Sequence, residues 1–434
     1  MVSHRRSQTS VHHDRHGSVF GRWFWISTAA IFVFLGFIQS SSNALPFVFQ
    51  EYPTYQNNSK SYFDYNSESL ILNRIDFETL GLTYGSRFGL WRAQSEVRTA
   101  DVDRPDANVD FVTTARYLED GGSYRSQLGA HSQGWAFVAA IIGTPHGDYT
   151  LLKVAAVLLL ALTLGISISW VAEAWGGAAA LAATVTASLS TGLALFSSSL
   201  YWSIWLMVLP LAAACFLRLR RVTSPWVIFP VMSLAFLPKF LSGYEFLSCV
   251  ILAALVPWIP DWLATRSRQA ARCLLWVIIA SGVALSASLL VYDWAFRAEF
   301  GTSGFEYLSE RSGSWALSGL EAAGVEPPDQ IAKVLTMNFV GVSIVSVPVA
   351  LCLLAGIITI VLMRRALLPN DWLFLGYLLL ASTSWIILQP GHLLFHPAYA
   401  LLVLAFPFAL LSVPYLVHVW RREPAWPLRH SSKF

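Results

Sequence analysis

Apolar residues in this chain come in long unbroken runs, not in the alternating or one-in-three-or-four patterns of soluble strands and helices. The runs are Trp23 to Ser40, Leu151 to Val171, Ala178 to Phe196, Tyr201 to Leu217, Trp226 to Leu237, Phe246 to Ile259, Leu274 to Val291, Phe339 to Leu362, Trp372 to Leu388 and Tyr399 to Val419. A bilayer core takes roughly 20 apolar residues of helix, so these runs predict about ten transmembrane helices, two of them short enough to tilt or re-enter. The expected fold is an all-α polytopic membrane protein. Its parts are a polar tail over 1–22, a first helix over 23–40, a long loop over 41–149, a helix bundle over 150–419 with a second large loop at 292–337, and a tail over 420–434. Within the long loop the patch from Trp135 to Ile142 is too short to span and predicts an interfacial or protein-packed helix.

Composition agrees with this class: 55% of the 434 residues are hydrophobic and 13% are charged, too few to cover a soluble globule of this size. The net charge of +3 is small and its arginines fall in short clusters between apolar runs, which reads as topology and excludes a nucleic-acid surface. Placing the N-terminus in the cytoplasm puts Arg218, Arg220 and Arg221, then Arg266, Arg268 and Arg272, then Arg364 and Arg365, and the tail from Arg421 on the same inner side. Both termini are then cytoplasmic, and both large loops face outward. The four cysteines, Cys215, Cys249, Cys273 and Cys352, lie in apolar segments and predict neither a disulfide framework nor a metal site.

The same arrangement gathers the candidate chemistry on the outer face. Asp76 and Glu78 stand as an acid-x-acid triplet flanked by Arg74 and Arg87, and the connection "KFLSGYEF" carries Lys239, Tyr244 and Glu245. The last outer connection, "QPGHLLFHP", carries His392 and His396. A carboxylate can deprotonate a hydroxyl acceptor or hold a divalent cation such as Mg or Mn, while arginine, lysine and histidine stabilise developing phosphate charge. Each residue also has a structural reading. The triplet can be a solvated turn, Lys239 can snorkel from a helix end to the surface, the histidines can bond to headgroups, and Trp91, Tyr124 and Trp135 can form an aromatic belt. No particular metal site follows from these residues.

The segments "YRSQLGAHSQGW", "KFLSGYEFLSCVILAAL" and "SWIILQPGHLLFHPAYALLVLAF" resemble, in the same order, segments of a family of largely uncharacterised bacterial membrane proteins. Their layout is similar to the GT-C glycosyltransferase superfamily. That resemblance implies transfer of a sugar from a polyprenyl-phosphate donor to a glycan or lipid acceptor on the outer face of the inner membrane, with an acid of the first loop as base or metal ligand. Asp76 or Glu78 is the nearest match. On that reading Glu245, set beside Gly243 and Tyr244 ahead of an apolar run, joins the catalytic group by ordering the site through Lys239, Arg87 or the phosphate-binding groups, and Arg87, Lys239, Tyr244, His392 and His396 would bind the substrate. A lipid-linked glycan flippase or transporter, or a surface polysaccharide polymerase, is the alternative reading; a transporter would need ionisable groups along the bundle interior.

Overall fold

The computed structural model describes residues 8–40, 71, 75, 90–92, 122–124, 127–143, 149–314, 327–342, 345–364, 366–390 and 399–422. Among the described residues the architecture is a helix bundle with two small two-stranded antiparallel sheets. Helix α1 (Gln8–Ser40) is followed by a strand pair, β1 (Leu90–Arg92) with β2 (Gly122–Tyr124), in the first loop. Then come α2 (Ala130–Ile142), α3 (Thr150–Trp175), α4 (Gly177–Leu189), the short α5 (Thr191–Phe196), α6 (Trp205–Leu219) and α7 (Pro225–Ser242). Helix α8 (Leu247–Leu255) continues through a 3-10 turn (Val256–Trp258) into α9 (Ile259–Thr265). The long α10 (Arg268–Phe300), α11 (Gly304–Ser314) and α12 (Pro327–Thr336) lead to a second hairpin, β3 (Asn338–Val342) with β4 (Val345–Pro348). The chain ends with α13 (Val349–Met363), α14 (Pro369–Leu388), α15 (Tyr399–Val403), a π-helical turn (Leu404–Ala409) and α16 (Leu410–Arg421).

Among the described residues six helical segments are long and apolar enough to cross a membrane: Thr150–Trp175, Pro225–Ser242, Leu247–Thr265, Arg268–Phe300, Pro369–Leu388 and Tyr399–Arg421. Four shorter apolar helices, Gly21–Phe37, Gly177–Leu189, Trp205–Leu219 and Val349–Met363, fill the remaining apolar runs. The run from Phe339 does not begin as helix. Its first residues form the β3–β4 hairpin, whose Val340 also bridges to Ser190 between α4 and α5. The run from Leu274 extends well past Val291 at its other end, because α10 continues to Phe300. Its 33 residues rise about 50 Å, more than a bilayer core, so its last turns project into the second loop.

Small residues set how closely the helices approach. A Cβ on Gly165 of α3 would stand 2.1 Å from the Thr28 hydroxyl of α1, and one on Gly192 would stand 2.3 Å from the Leu401 carbonyl oxygen. All four cysteines are free. Exposed Leu, Ile, Val and Phe cover the outside of the bundle, as on Leu275, Ile278, Val283 and Leu290 of α10, which suits a lipid-facing surface.

Polar contacts tie together helix ends that carry arginines. There Arg218 pairs with Asp261, the Trp175 carbonyl lies 3.2 Å from His418 Nδ1, and Arg422 donates to both oxygens of Asp371 at 3.0 and 3.1 Å. Asp371 is buried and also accepts from the Leu368 amide at 2.8 Å, capping α14, and from the Tyr415 hydroxyl at 2.5 Å. One carboxylate thus ties α14 to α16. We predict that Asp371→Ala lowers unfolding stability in detergent, by about 1 kcal/mol from the cap alone and further from the freed Arg422 and Tyr415. A thermal unfolding curve indistinguishable from that of the parent protein would show that this tie is dispensable.

Candidate functional site

The opposite end of the bundle holds a compact polar cluster built around the break between α7 and α8. Helix α7 starts with Pro225 after Ser224 and stops at Gly243, whose amide donates to the Lys239 carbonyl at 3.1 Å. The Lys239 side chain turns back over this end and donates to the Gly243 carbonyl oxygen at 3.1 Å. A cation at a helix C-terminus is favoured by the open carbonyls there. Lys239 is nevertheless only 4% exposed, which corrects the snorkelling reading: helix α2 packs against α7 with His131 beside Lys239, and the ammonium stays inside with a local carbonyl.

Gly243 is required here by space, not by backbone angle. Its φ of 168° is ordinary extended chain, but a Cβ would stand 2.3 Å from Gln127 Oε1 and 2.5 Å from Glu245 Oε2. Two polar side chains therefore close on this one residue. Three residues on, Phe246 adopts φ 63°, a left-handed conformation that costs a bulky L-residue roughly 1–2 kcal/mol. Aromatic packing holds it there: its ring lies 4.6 Å from Trp385, 5.7 Å from Trp202 and 6.0 Å from Tyr399, centroid to centroid. The sharp turn at Phe246 starts α8 at once and leaves Glu245, half-buried, over Gly243.

Helix α2 closes the cluster. Its Trp135 is buried and donates from Nε1 to the Ser203 hydroxyl at 3.0 Å, and Ser203 donates to the Leu200 carbonyl at 2.7 Å. Trp135 thus anchors α2 to the turn before α6 and is not part of an aromatic belt. The patch is protein-packed on one face, with Phe137, Ile141 and Ile142 exposed on the other. The first turn of α2 carries His131, buried beside Lys239, with its ring 6.3 Å from Tyr201. Burial, and after it the Lys239 charge, hold the His131 imidazole down at about 3, only partly opposed by the Tyr201 backbone. It is neutral at physiological pH, yet neither ring nitrogen meets a partner at hydrogen-bond geometry.

Of the residues expected to act, the structure brings Lys239, Tyr244 and Glu245 together. Tyr244 faces α10, with its hydroxyl 3.5 Å from the Ser288 carbonyl and its ring 6.0 Å from Tyr292. Burial pushes the Tyr244 hydroxyl up to about 12, with the Glu245 charge adding to the shift and the Ser288 contact opposing it, so it stays a neutral donor. Lys239 and Glu245 sense each other electrostatically but form no direct ion pair. Asp76, Glu78, Arg87, His392 and His396 lie outside the described residues. Among the described residues no three His, Cys, Asp or Glu side chains group to hold a metal ion; a divalent cation at Asp76 and Glu78 would rest outside them. Gln127 was not singled out from the sequence, whereas His131 counts there among the ionisable residues of the first loop, with Glu119, Asp120 and Arg125. Their shared signal there is the segment "YRSQLGAHSQGW", and only the docking of α2 on α7 places them at Lys239. No protein-family model, no curated protein and no solved structure matches this chain.

Two predictions follow from this geometry. Gly243→Ala should fold normally, because its backbone angles suit alanine, but it should displace Gln127 and Glu245 and impair function; wild-type activity in the folded variant would show that their placement is unimportant. Because folded His131 resists protonation while the unfolded residue titrates near 6.5, its contribution to stability is present above pH 6.5 and is lost as pH falls toward about 3. The slope is on the order of 1.4 kcal/mol per pH unit for one proton. Unfolding curves of His131→Gln across that window should lack this slope.

Proposed function

We propose that the protein is a glycosyltransferase of the bacterial inner membrane, with both termini in the cytoplasm, ten membrane-crossing helices and its site at the outer face. In this reading it moves a sugar from a polyprenyl-phosphate donor to an envelope glycan or lipid acceptor. The observation that carries it is the segregation of charge. Among the described residues the ionisable side chains gather near helix ends, arginine clusters at one end and the Lys239–Glu245 group at the other, while the bundle interior is aliphatic and aromatic with serine, threonine and cysteine as its main polar groups. Such a layout suits chemistry at a membrane surface better than passage of a polar cargo through the bundle.

The chemistry would run as follows. Asp76 or Glu78 takes the proton of the acceptor hydroxyl, the acceptor oxygen forms a bond to the anomeric carbon, and the bond from that carbon to the phosphate oxygen breaks with its electron pair leaving on phosphate. Lys239, with Arg87 and His392, stabilises the departing charge, and Tyr244 donates a neutral hydrogen bond. The Glu245 charge favours the ammonium form of Lys239 from a distance.

Asp76→Asn or Glu78→Gln is expected to cut transfer about 10²–10⁴-fold without loss of folded protein, and Glu245→Gln to abolish or strongly reduce it. The direct test is mass spectrometry of lipid-linked sugars and surface glycans from cells with and without the gene. Build-up of a polyprenyl-phosphate monosaccharide together with loss of one glycan sugar is the expected result. An unchanged sugar composition would remove the reading, and accumulation of a complete lipid-linked oligosaccharide would replace it by flipping or polymerisation.

A further inference from the structure

Buried polar groups almost always find hydrogen-bond partners, and several unsatisfied ones converging at one place call for a water, an ion or a ligand there. At the α2–α7 junction three such side chains converge. Gln127, 2% exposed, lies with its amide against Gly243 and leaves Nε2 open; His131, 8% exposed, has neither ring nitrogen at full hydrogen-bond geometry, although the Tyr201 backbone lies near its ring. Lys239, 4% exposed, uses one of its three ammonium donors on the Gly243 carbonyl. Lys239 and Gln127 meet at the same glycine, and His131 is near enough to Lys239 for the two to interact electrostatically.

The chemistry of this set is selective. The open positions are mostly donors: two on the lysine and those on the glutamine amide, beside a neutral imidazole that can donate from one nitrogen, toward the ligand or the Tyr201 backbone, and accept at the other. A water could take part of this set but would leave the buried ammonium without an anion in contact, since Glu245 forms no direct ion pair with it. An oxyanion with several acceptor oxygens would satisfy all three side chains at once and bring a negative charge to the ammonium. A neutral acceptor would do only the first.

From this convergence we infer that Gln127, His131 and Lys239 form a binding subsite for a phosphate group, framed by Gly243 and open only to ligands that bring their own acceptor oxygens. The subsite deepens the proposed function, in which it would seat the donor phosphate, but its occupancy by phosphate can be read with no sugar transfer. The glycine matters to it as well, since any larger residue at 243 pushes on the Gln127 amide.

The test uses the full-length protein in neutral maltoside micelles, titrated separately with inorganic phosphate and with n-octyl phosphate, following thermal stabilisation and calorimetric binding. Wild-type protein is expected to bind at least one of the two. Lys239→Met and Gln127→Leu should each weaken that binding about 10-fold or more, the size of a lost hydrogen bond to a charged group. Gln127→Leu changes no charge and keeps the test open if Lys239→Met folds poorly, which size-exclusion profiles would reveal. Binding of octyl phosphate alone assigns the site to a lipid headgroup, whereas equal binding of inorganic phosphate assigns it to a free or soluble phosphate. No binding of either to wild-type protein, or binding unchanged in both variants, overturns the inference. Binding that is lost in the variants, in a protein whose deletion leaves cellular sugars unchanged, would retain the phosphate subsite and discard the glycosyltransferase.

Discussion

A backbone amide or carbonyl left open inside a bilayer costs several kcal/mol, and this chain interrupts its helices repeatedly, so its structure depends on side chains that complete the broken ladders. Where α8 tightens into the 3-10 turn before Pro257, the Val256 amide moves to the Ala253 carbonyl and the Leu252 carbonyl receives the Tyr377 hydroxyl at 2.6 Å instead. Where the last span breaks at Phe406 and Pro407, the Phe408 amide donates to Ser382 Oγ at 3.0 Å. At the end of α7 the donor to the Gly243 carbonyl is Lys239 itself. Each break is thereby fixed to a neighbouring element or to its own helix end.

These repairs also explain why polar residues sit where they do in the bundle. Ser384 donates to Ser248 at 2.9 Å and Cys249 lies 3.3 Å from the Ser382 carbonyl, so α8 and α14 share a seam of small hydroxyl and thiol groups beside the break they support. The same logic operates on the second loop. Asp293 accepts from the Gly304 amide at 2.9 Å, the Phe305 amide at 3.3 Å, Ser303 at 3.2 Å and Arg297 at 2.7 Å, folding the start of α11 back on the end of α10. Gly304 permits that fold, since a Cβ would stand 2.8 Å from the Tyr292 ring.

The cluster at Gly243 differs from these repairs because it is incomplete. Elsewhere the buried Asp371 carboxylate meets its partners at the arginine-rich end, and the buried groups left open, such as the Ser188, Thr191 and Ser233 hydroxyls, carry no charge. Around Lys239 the protein supplies a strained Phe246, a glycine with no room for a methyl, and side chains with open hydrogen-bonding positions. Strain together with unsatisfied polarity is expensive to maintain, and its concentration at one place is what separates a candidate site from a structural joint.

The sequence by itself determined that the chain is a multi-pass membrane protein of mainly helical build, because apolar run length and the spacing of arginines act locally and need no knowledge of neighbours. It also pointed to Lys239, Tyr244 and Glu245, since charges beside a Gly between two apolar runs are conspicuous. It did not show that Phe339 begins a strand, that Trp135 is an anchor, or that Lys239 is buried. Nor did it bring Gln127 to Gly243 and His131 to Lys239, each more than 100 positions away in the chain. Those outcomes belong to tertiary structure, because whether an apolar run becomes helix or hairpin, and whether a polar side chain meets water or another element, is decided by what packs against it. Only the docking of α2 across the end of α7 made one site of the two segments.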